Sequence, residues 1–190
     1  MGHRVNDDVQ LTRCALRAAH GDRSATETFI RLTQQSVWRM LAHLASRDVA
    51  DDLTQETYAR AFSALSRFRG DSSARTWLLA IARRVAADHL RQRGTRPTLV
   101  GSIDWQRRAE QNQPRVPELD EGLALRQAMG SLATERHEAF VLTQITGLSY
   151  AEAAQVCGCR IGTIRSRVAR ARDDLRTALS ATTDTDAATR

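Results

Sequence analysis

Apolar residues recur every three or four positions through most of the chain, which is the spacing of amphipathic α-helices. The pattern is clearest near the C-terminus. There, Ser149 followed three residues later by Glu152 forms a capping box, so a short helix should begin at Tyr150 and end at Gly158. A second helix should follow, with a buried stripe made of Ile161, Ile164, Val168, Ala171 and Leu175. Two short helices joined by a tight glycine turn are typical of a helix-turn-helix.

The outward face of that second helix combines small and basic residues. Positions 160 to 172 hold five arginines and no acid. Little bulk, hydroxyl groups and forked guanidinium groups suit the major groove of DNA. A solvated basic helix is the ordinary alternative, and the two-helix arrangement favours DNA. The face carries Gly162, Thr163, Ser166, Ala169 and Arg170, with Arg165 and Arg172 on one flank and Arg167 on the other.

Four further helical patterns fill the N-terminal half. Asp7 or Asp8 is expected to cap the first, which Gly21 ends. Ser24 and Glu27 form a second capping box. The helix that this box opens is apolar enough to lie at the centre of a bundle.

The third pattern, residues 51–65, predicts a helix with one broad apolar face. Its other face presents Asp52, Gln55, Glu56, Ala59 and Ser63. A solvated polar face is the usual explanation for such residues. On a chain with an excess of basic residues, however, an acidic face would repel phosphates, which points to a protein partner.

The fourth pattern predicts a helix from Ala74 to Arg93, with Asp71 or Ser72 as its N-cap. Trp77 lies on its apolar side, where a plain core role is the simpler interpretation. Small residues alternating with arginine suit close approach to a nucleic acid backbone, and the polar loop before the helix has room for an extruded base. The face of the helix that combines small residues with arginine carries Ala80, Arg83, Arg84, Ala87 and Arg91.

Composition narrows the function. The 190 residues allow one ordinary domain or two small ones, and the net charge is +6 with all 28 basic residues arginine. Arginine suits a polyanionic partner, although a GC-rich genome also produces this usage. No stretch is long and apolar enough to span a bilayer and the N-terminus lacks a signal peptide's apolar core, so a cytosolic protein is expected.

No constellation of residues predicts an enzyme or a metal site. The five histidines lack metal-ligand spacing, and there is no glycine-rich phosphate loop or nucleophile elbow. His43 and His89 are expected to be interior or interfacial polar residues. Cys14, Cys157 and Cys159 are too few for a disulfide framework, and a C-x-C without a nearby histidine pair is better explained by packing than by zinc.

The region around residues 94–120 separates the two halves. It holds all three prolines, two glycines and no helical period, so it is interpreted as a flexible linker. The predicted architecture is all-α, with two small helical domains. Its divisions are a first domain 1–95, a linker 96–120, a second domain 121–179 with a helix starting at Thr134, and a disordered tail 180–190.

Three motifs in order resemble regions two and four of an extracytoplasmic-function (ECF) sigma factor of bacterial RNA polymerase, within the sigma-70 family. They are DLTQETYARAF, FRGDSSARTWLLAIARRVAADHLR and LTQITGLSYAEAAQVCGCRIGTIRSRVARARDDL. The resemblance covers most of residues 8–179 apart from the linker. Since no catalytic constellation is present either, the expectation is a protein that is not an enzyme and has no cofactor. The resemblance implies as partners the core polymerase, through its β′ clamp helices and β flap, promoter DNA and, commonly, an anti-sigma factor.

The resemblance also implies roles for individual residues. Core-binding positions fall on Asp51, Asp52, Gln55, Glu56 and Arg60. Arg69, Asp71, Ser72 and Ser73 lie in the loop that receives a flipped minus-ten base, and Trp77, Arg83, Arg84 and Arg91 follow in the helix. The minus-thirty-five positions are Arg160, Thr163, Arg165, Ser166, Arg170 and Arg172.

Two positions depart from the family pattern. Arg84 occupies a variable position, which leaves the preferred minus-ten base open, and Arg160 replaces a proline that many members have. The alternative function is a free-standing helix-turn-helix regulator whose first domain senses a ligand or forms a dimer. Such a protein would bind duplex DNA without polymerase.

Overall fold

The computed structural model describes residues 2–95 and 119–188, with the side chains of 7–92 and 125–180. These residues are helical and contain no strand, so the all-α prediction is confirmed. The helices are α1 (Gly2–Ala19), α2 (Arg23–Leu44), α3 (Arg47–Leu65), α4 (Ala74–Thr95), α5 (Leu119–Gly130), α6 (Thr134–Phe140), a π-helical turn (Val141–Ile145), α7 (Tyr150–Cys157) and α8 (Ile161–Ala188).

Helices α1 to α4 form a bundle around α2, which packs against the other three as its apolar pattern predicts. Phe29 and Met40 of α2 and Leu78 of α4 are almost completely buried. Tyr58 of α3 lies with its hydroxyl 2.7 Å from that of Thr33 in α2, which satisfies both polar groups inside the bundle. The bundle therefore holds α3 and α4 at fixed orientations on one support.

The predicted caps of α1, α2 and α4 are wrong. Helix α1 begins at Gly2, before either predicted aspartate. The Asp22 carboxylate caps α2 by accepting from the Ala25 N–H at 3.0 Å, so Ser24 lies inside the helix. Ser73 caps α4 in place of Asp71 or Ser72. Its Oγ accepts at 3.1 Å from the Thr76 N–H, one of the first-turn N–H groups that have no partner within the helix. Helix α3 likewise begins at Arg47, four residues earlier than predicted.

The predicted helix-turn-helix is confirmed. Ser149 Oγ accepts from the Glu152 N–H at 3.2 Å, and Glu152 Oε2 accepts from the Ser149 N–H at 2.8 Å. Gly158 ends α7 with a φ of 64°, a left-handed conformation that glycine adopts without steric cost. The stripe of α8 is buried except for Ile161, which is 42% exposed because the first residue of the helix lies at the end of the packed face.

Loss of the capping box should destabilise the second domain. We expect Ser149→Ala to lower its free energy of unfolding by about 1 kcal/mol, since a backbone N–H loses its acceptor. The control is Ser63→Ala, whose exposed hydroxyl bonds only the Ala59 carbonyl of its own helix. Thermal unfolding followed by circular dichroism compares the two. Equal melting temperatures for Ser149→Ala and the wild type would contradict the assigned role.

The C-terminal part of α8 corrects the expectation of a disordered tail. The helix continues past Leu179 to Ala188. Once a helix is nucleated, each further residue adds a backbone hydrogen bond without a new nucleation cost. The predicted start at Thr134 is confirmed. Residues 96–118 of the expected linker 96–120 lie outside the described residues. Helix α5 begins at Leu119, within the last two positions of that range.

The two helical domains pack against each other. Helix α4 contacts α7, and α2 contacts the π-helical turn. Arg83 of α4 donates from Nη2 and Nε to Glu138 Oε2 of α6, at 2.9 and 3.1 Å. Arg75 of α4 donates to the carbonyl of Thr146. We call this association the closed arrangement.

Candidate protein and nucleic-acid interfaces

The acidic face of α3 is open to solvent. Asp52 and Gln55 are exposed and make no side-chain hydrogen bond within the described part of the chain. A carboxylate without an internal partner is available to an external cation. The five predicted core-binding residues, all exposed, are Asp51, Asp52, Gln55, Glu56 and Arg60.

Neighbouring side chains orient the other three members of this face. Trp38 Nε1 donates to Asp51 at 2.9 Å. Arg60 bridges Glu56 at 2.7 Å and Asp88 of α4 at 2.6 Å, and this hydrogen bond from Arg60 holds the pKa of Asp88 below its usual value. Sequence reasoning missed Trp38, because it belongs to an apolar helical pattern that gives no sign of a polar contact.

The loop before α4 is polar and partly open. Arg69 and Asp71 are exposed, whereas Ser72 and Ser73 are half-buried. The Ser73 hydroxyl caps α4 and lies 2.9 Å from that of Thr76, so it already has structural contacts. The loop thus offers two charged side chains to a ligand, with a rigid helix start behind them.

Trp77 lies at the base of this loop. It is half-buried and its ring centroid is 4.9 Å from that of Phe68, with the planes at 42°. This tilted contact fits the core interpretation, while part of the side chain stays exposed.

The arginines of α4 divide between solvent and the second domain. Arg84 and Arg91 are exposed, and Arg91 pairs with Asp88. Arg83, by contrast, points toward Glu138, with side-chain exposures of 28% and 13%. The partner is 55 residues away in sequence, so no local pattern signals it.

The outward face of α8 presents a basic surface on the second domain. Arg160, Arg165 and Arg170 are exposed and make no side-chain hydrogen bond or ion pair within the described residues. The remaining predicted positions are Ser166, which bonds the Thr163 carbonyl, Thr163 itself, half-buried, and Arg172, whose Nη2 donates to Gln144 Oε1 at 2.9 Å. Free guanidinium groups therefore alternate with small side chains, as contact with base edges and phosphates requires.

The described residues contain no cluster of histidine, cysteine and acid able to hold a metal ion. The three cysteines are free thiols, and burial is the main cause that raises the pKa of Cys157 to about 11. That thiol stays protonated at neutral pH and is a poor nucleophile. Within the same residues, no helix has the length and apolar character needed to cross a membrane.

The Arg83–Glu138 pair should contribute to the closed arrangement. We expect Glu138→Gln to weaken the association of the domains by ~1–3 kcal/mol, because Arg83 loses a charged acceptor. Small-angle X-ray scattering would then give a larger radius of gyration. The matched control is Glu135→Gln on the same helix, which is exposed and has no ion pair there. Unchanged scattering from Glu138→Gln would show that the pair does not hold the domains.

Comparison with known proteins identifies both domains. The family model of sigma-70 region 2 matches residues 28–96, and that of sigma-70 region 4 matches residues 122–175. The chain is 50% identical over 179 residues to the ECF RNA polymerase sigma factor SigC of Mycobacterium tuberculosis, with 90% of this chain and 92% of that protein covered. It is 30% identical to the ECF RNA polymerase sigma-E factor of Haemophilus influenzae, covering 86% of this chain and 93% of that protein.

Solved structures agree with the sequence matches. CnrH, in complex with the cytosolic domain of CnrY, superposes with a TM-score of 0.72 at 25% identity, over 90% of this chain and 98% of that one. The sigma factor RpoE of Bartonella quintana, crystallised with the anti-sigma factor NepR, gives 0.68 at 28% identity, over 82% and 96%. With both regions matched in order and half of the aligned residues identical to a curated member, the chain belongs to the ECF group of the sigma-70 family of RNA polymerase sigma factors.

Proposed function

We propose that this protein binds core RNA polymerase and directs it to promoters, with its two domains dividing the work. Residues 1–95 bind the core and recognise and melt the minus-ten element, and residues 121–179 read the minus-thirty-five element. The observation that carries this division is the separation of charge: an exposed acidic face on α3 and an exposed arginine face on α8. A free-standing regulator needs only the second of these faces to bind DNA.

Core docking is assigned to α3, against the β′ clamp helices of the polymerase. Among the described residues, Asp52 and Gln55 have no hydrogen-bond or ion-pair partner, so they are available to basic residues of the polymerase. Asp51 and Glu56 are held in position by Trp38 and Arg60, which reduces the entropy lost on docking. Region 4 is assigned the β flap as its contact, by family resemblance.

Minus-ten recognition is assigned to the loop before α4 and to the arginines of that helix. Arg69 and Asp71 are open to an extruded base, and Arg84 and Arg91 are exposed further along α4. Arg83 is engaged with Glu138 in the closed arrangement. Contact between Arg83 and DNA therefore requires the domains to separate.

An anti-sigma factor is the proposed negative partner. The match to CnrH in its complex with CnrY extends over both domains of this chain, since it covers 90% of it. The RpoE match, to a complex with NepR, also extends over most of the chain. This likeness supports the view that the closed arrangement is the form such a partner would hold.

The test is transcription in vitro with purified core polymerase on fragmented genomic DNA, followed by mapping of start sites. The full chain should produce discrete starts that share minus-ten and minus-thirty-five sequences, and core alone should not. The free-standing regulator would instead bind duplex promoter DNA without polymerase and would produce no new starts.

A truncated protein ending at residue 95 tests the division of labour. We expect it to bind core nearly as well as the full chain, because α3 is intact, and to lose transcription from promoters that depend on the minus-thirty-five element. Two weak sites joined by a linker gain affinity only when both engage. Pull-down of core and transcription from the mapped promoters give the two readouts. Full activity of the truncated protein at those promoters would contradict the proposal.

A further inference from the structure

A cavity of about 570 Å³ lies between the two domains in the closed arrangement. One wall comes from the end of α2 and the start of α3, and the other from α5, α6 and the π-helical turn. Five basic side chains line it, and none of its lining residues is acidic. They are Arg39, His43 and Arg47 of the first domain and Arg126 and His137 of the second.

The closed arrangement brings these basic side chains together, and the Asp51 carboxylate lies next to one wall, where it accepts from Trp38 Nε1. Burial, followed by the charges of Arg47, Arg126 and Arg39, lowers the pKa of His43. Burial, followed by the charge of His43, lowers the pKa of His137. The lowered pKa values favour the neutral form of both histidines at neutral pH, so the positive charge at the cavity comes from Arg39, Arg47 and Arg126. A bound anion would relieve the repulsion between the two walls.

Apart from Ser46, the rest of the cavity is lined by apolar residues and one glycine. Trp38, Ala42, Met129 and Ile145 line it, and the indole of Trp38 is fixed by its hydrogen bond to Asp51. Concave sites with an apolar wall and a few convergent charged groups are typical of small-molecule sites, and the volume falls within their usual range of ~300–1,000 Å³. A fixed aromatic ring also offers a surface on which a planar group can stack.

We infer that this cavity binds a diphosphate, either free or as part of a nucleotide, and that the bound ligand holds the two domains closed. Arginine forks match the geometry of phosphate oxygens, and the arginines here approach from both domains. Neutral histidines can donate a further N–H, or become charged when an anion is present. Because residues of both domains contact one ligand, its binding energy opposes domain separation.

The primary experiment is calorimetric titration of the full chain with pyrophosphate. We expect saturable binding, weakened about tenfold by Arg39→Gln and by Arg126→Gln, since each removes charged hydrogen bonds from a different domain. Arg31→Gln is the matched control, because it removes the same charge from an exposed position on α2 outside the cavity. That variant should bind within about twofold of the wild type, as a change that removes no direct contact does. Absence of binding, or equal losses in all three variants, would overturn the site.

Two further measurements identify the source of the diphosphate and test whether the ligand holds the domains closed. Pyrophosphate and a nucleoside diphosphate are compared: equal affinities indicate a free diphosphate, and tighter binding of the nucleotide, accompanied by a change in tryptophan fluorescence, indicates a nucleotide. Glu138→Gln, which weakens closure from outside the cavity, should reduce affinity severalfold. Unchanged affinity in that variant would overturn the proposal that the ligand holds the two domains closed.

The histidines give a readout that does not depend on transcription. His43 and His137 have lowered pKa values in the closed arrangement, so their contribution to its stability is present above the ordinary histidine value of 6.5 and is lost as pH falls through the lowered values. Acidification should open the free protein. Pyrophosphate should raise both pKa values, which proton NMR measures. It should also keep the domains closed at lower pH. No change in either titration would contradict direct contact.

Discussion

Reversal of the acidic charges on α3 should abolish tight binding of core polymerase. We expect Asp52→Arg/Glu56→Arg to lose at least ~2 kcal/mol of binding free energy, about a 30-fold loss of affinity, because two attractive contacts become repulsive. Both side chains are exposed, so the fold should survive. The measurement is the dissociation constant for core, with helicity checked by circular dichroism.

The contacts of Asp52 and Glu56 within the protein determine how the affinity of the double variant is interpreted. Glu56 accepts from Arg60, so its reversal also disturbs the link between α3 and α4. Asp52 has no such contact within the described chain, and Asp52→Arg alone therefore reports on docking. Glu27→Arg/Glu135→Arg makes the same change in net charge on exposed residues elsewhere and should bind core normally. Full affinity in a folded Asp52→Arg/Glu56→Arg protein would refute docking through α3.

Features whose cause lies within a few residues could be predicted from the sequence. The capping box at Ser149 and the glycine turn at Gly158 are such features, because the groups that bond are three residues apart or belong to a single residue. The cap of α2 shows the limit of this reasoning. Two acceptors compete there, and Asp22, just after the left-handed Gly21, prevails over the Ser24 and Glu27 pair.

Features set by distant residues could not be predicted. Arg83 belongs to a face of α4 whose small and basic residues indicate nucleic acid, yet in the closed arrangement its guanidinium contacts Glu138. The linker composition likewise indicates independent domains, whereas α4 packs on α7. A basic residue suits a carboxylate as well as a phosphate, so only three-dimensional proximity identifies the partner. We propose that the same face contacts DNA once the domains part.

We expect different arginines of helix α8 to contact the DNA bases and the DNA backbone. Arg165 lies near the start of α8, is exposed and makes no hydrogen bond or ion pair in the described chain, so its guanidinium group is free to meet a guanine edge. Arg172 lies two turns later and donates to Gln144, which fixes its guanidinium beside the surface where a phosphate would pass. The two side chains should therefore fail in different ways when they are removed.

Replacement of Arg165 by Ala should cost ~1–3 kcal/mol at the preferred promoter and remove the preference at one base pair of the minus-thirty-five element. Replacement of Arg172 by Ala should weaken binding to all promoters about equally and make the salt dependence shallower by roughly one unit of slope. Holoenzyme binding to single-base variants at several salt concentrations measures both effects.

Arg176→Ala provides the control for general loss of charge. Arg176 is exposed further along the same helix and pairs with Asp173, so its loss should change neither base preference nor affinity by more than about twofold. If Arg165→Ala instead weakens all sequences uniformly, direct readout by that residue is wrong. Specificity would then rest on Thr163, Ser166 and Arg170, or on the sequence-dependent shape of the DNA, because these are the remaining means by which α8 can distinguish one promoter from another.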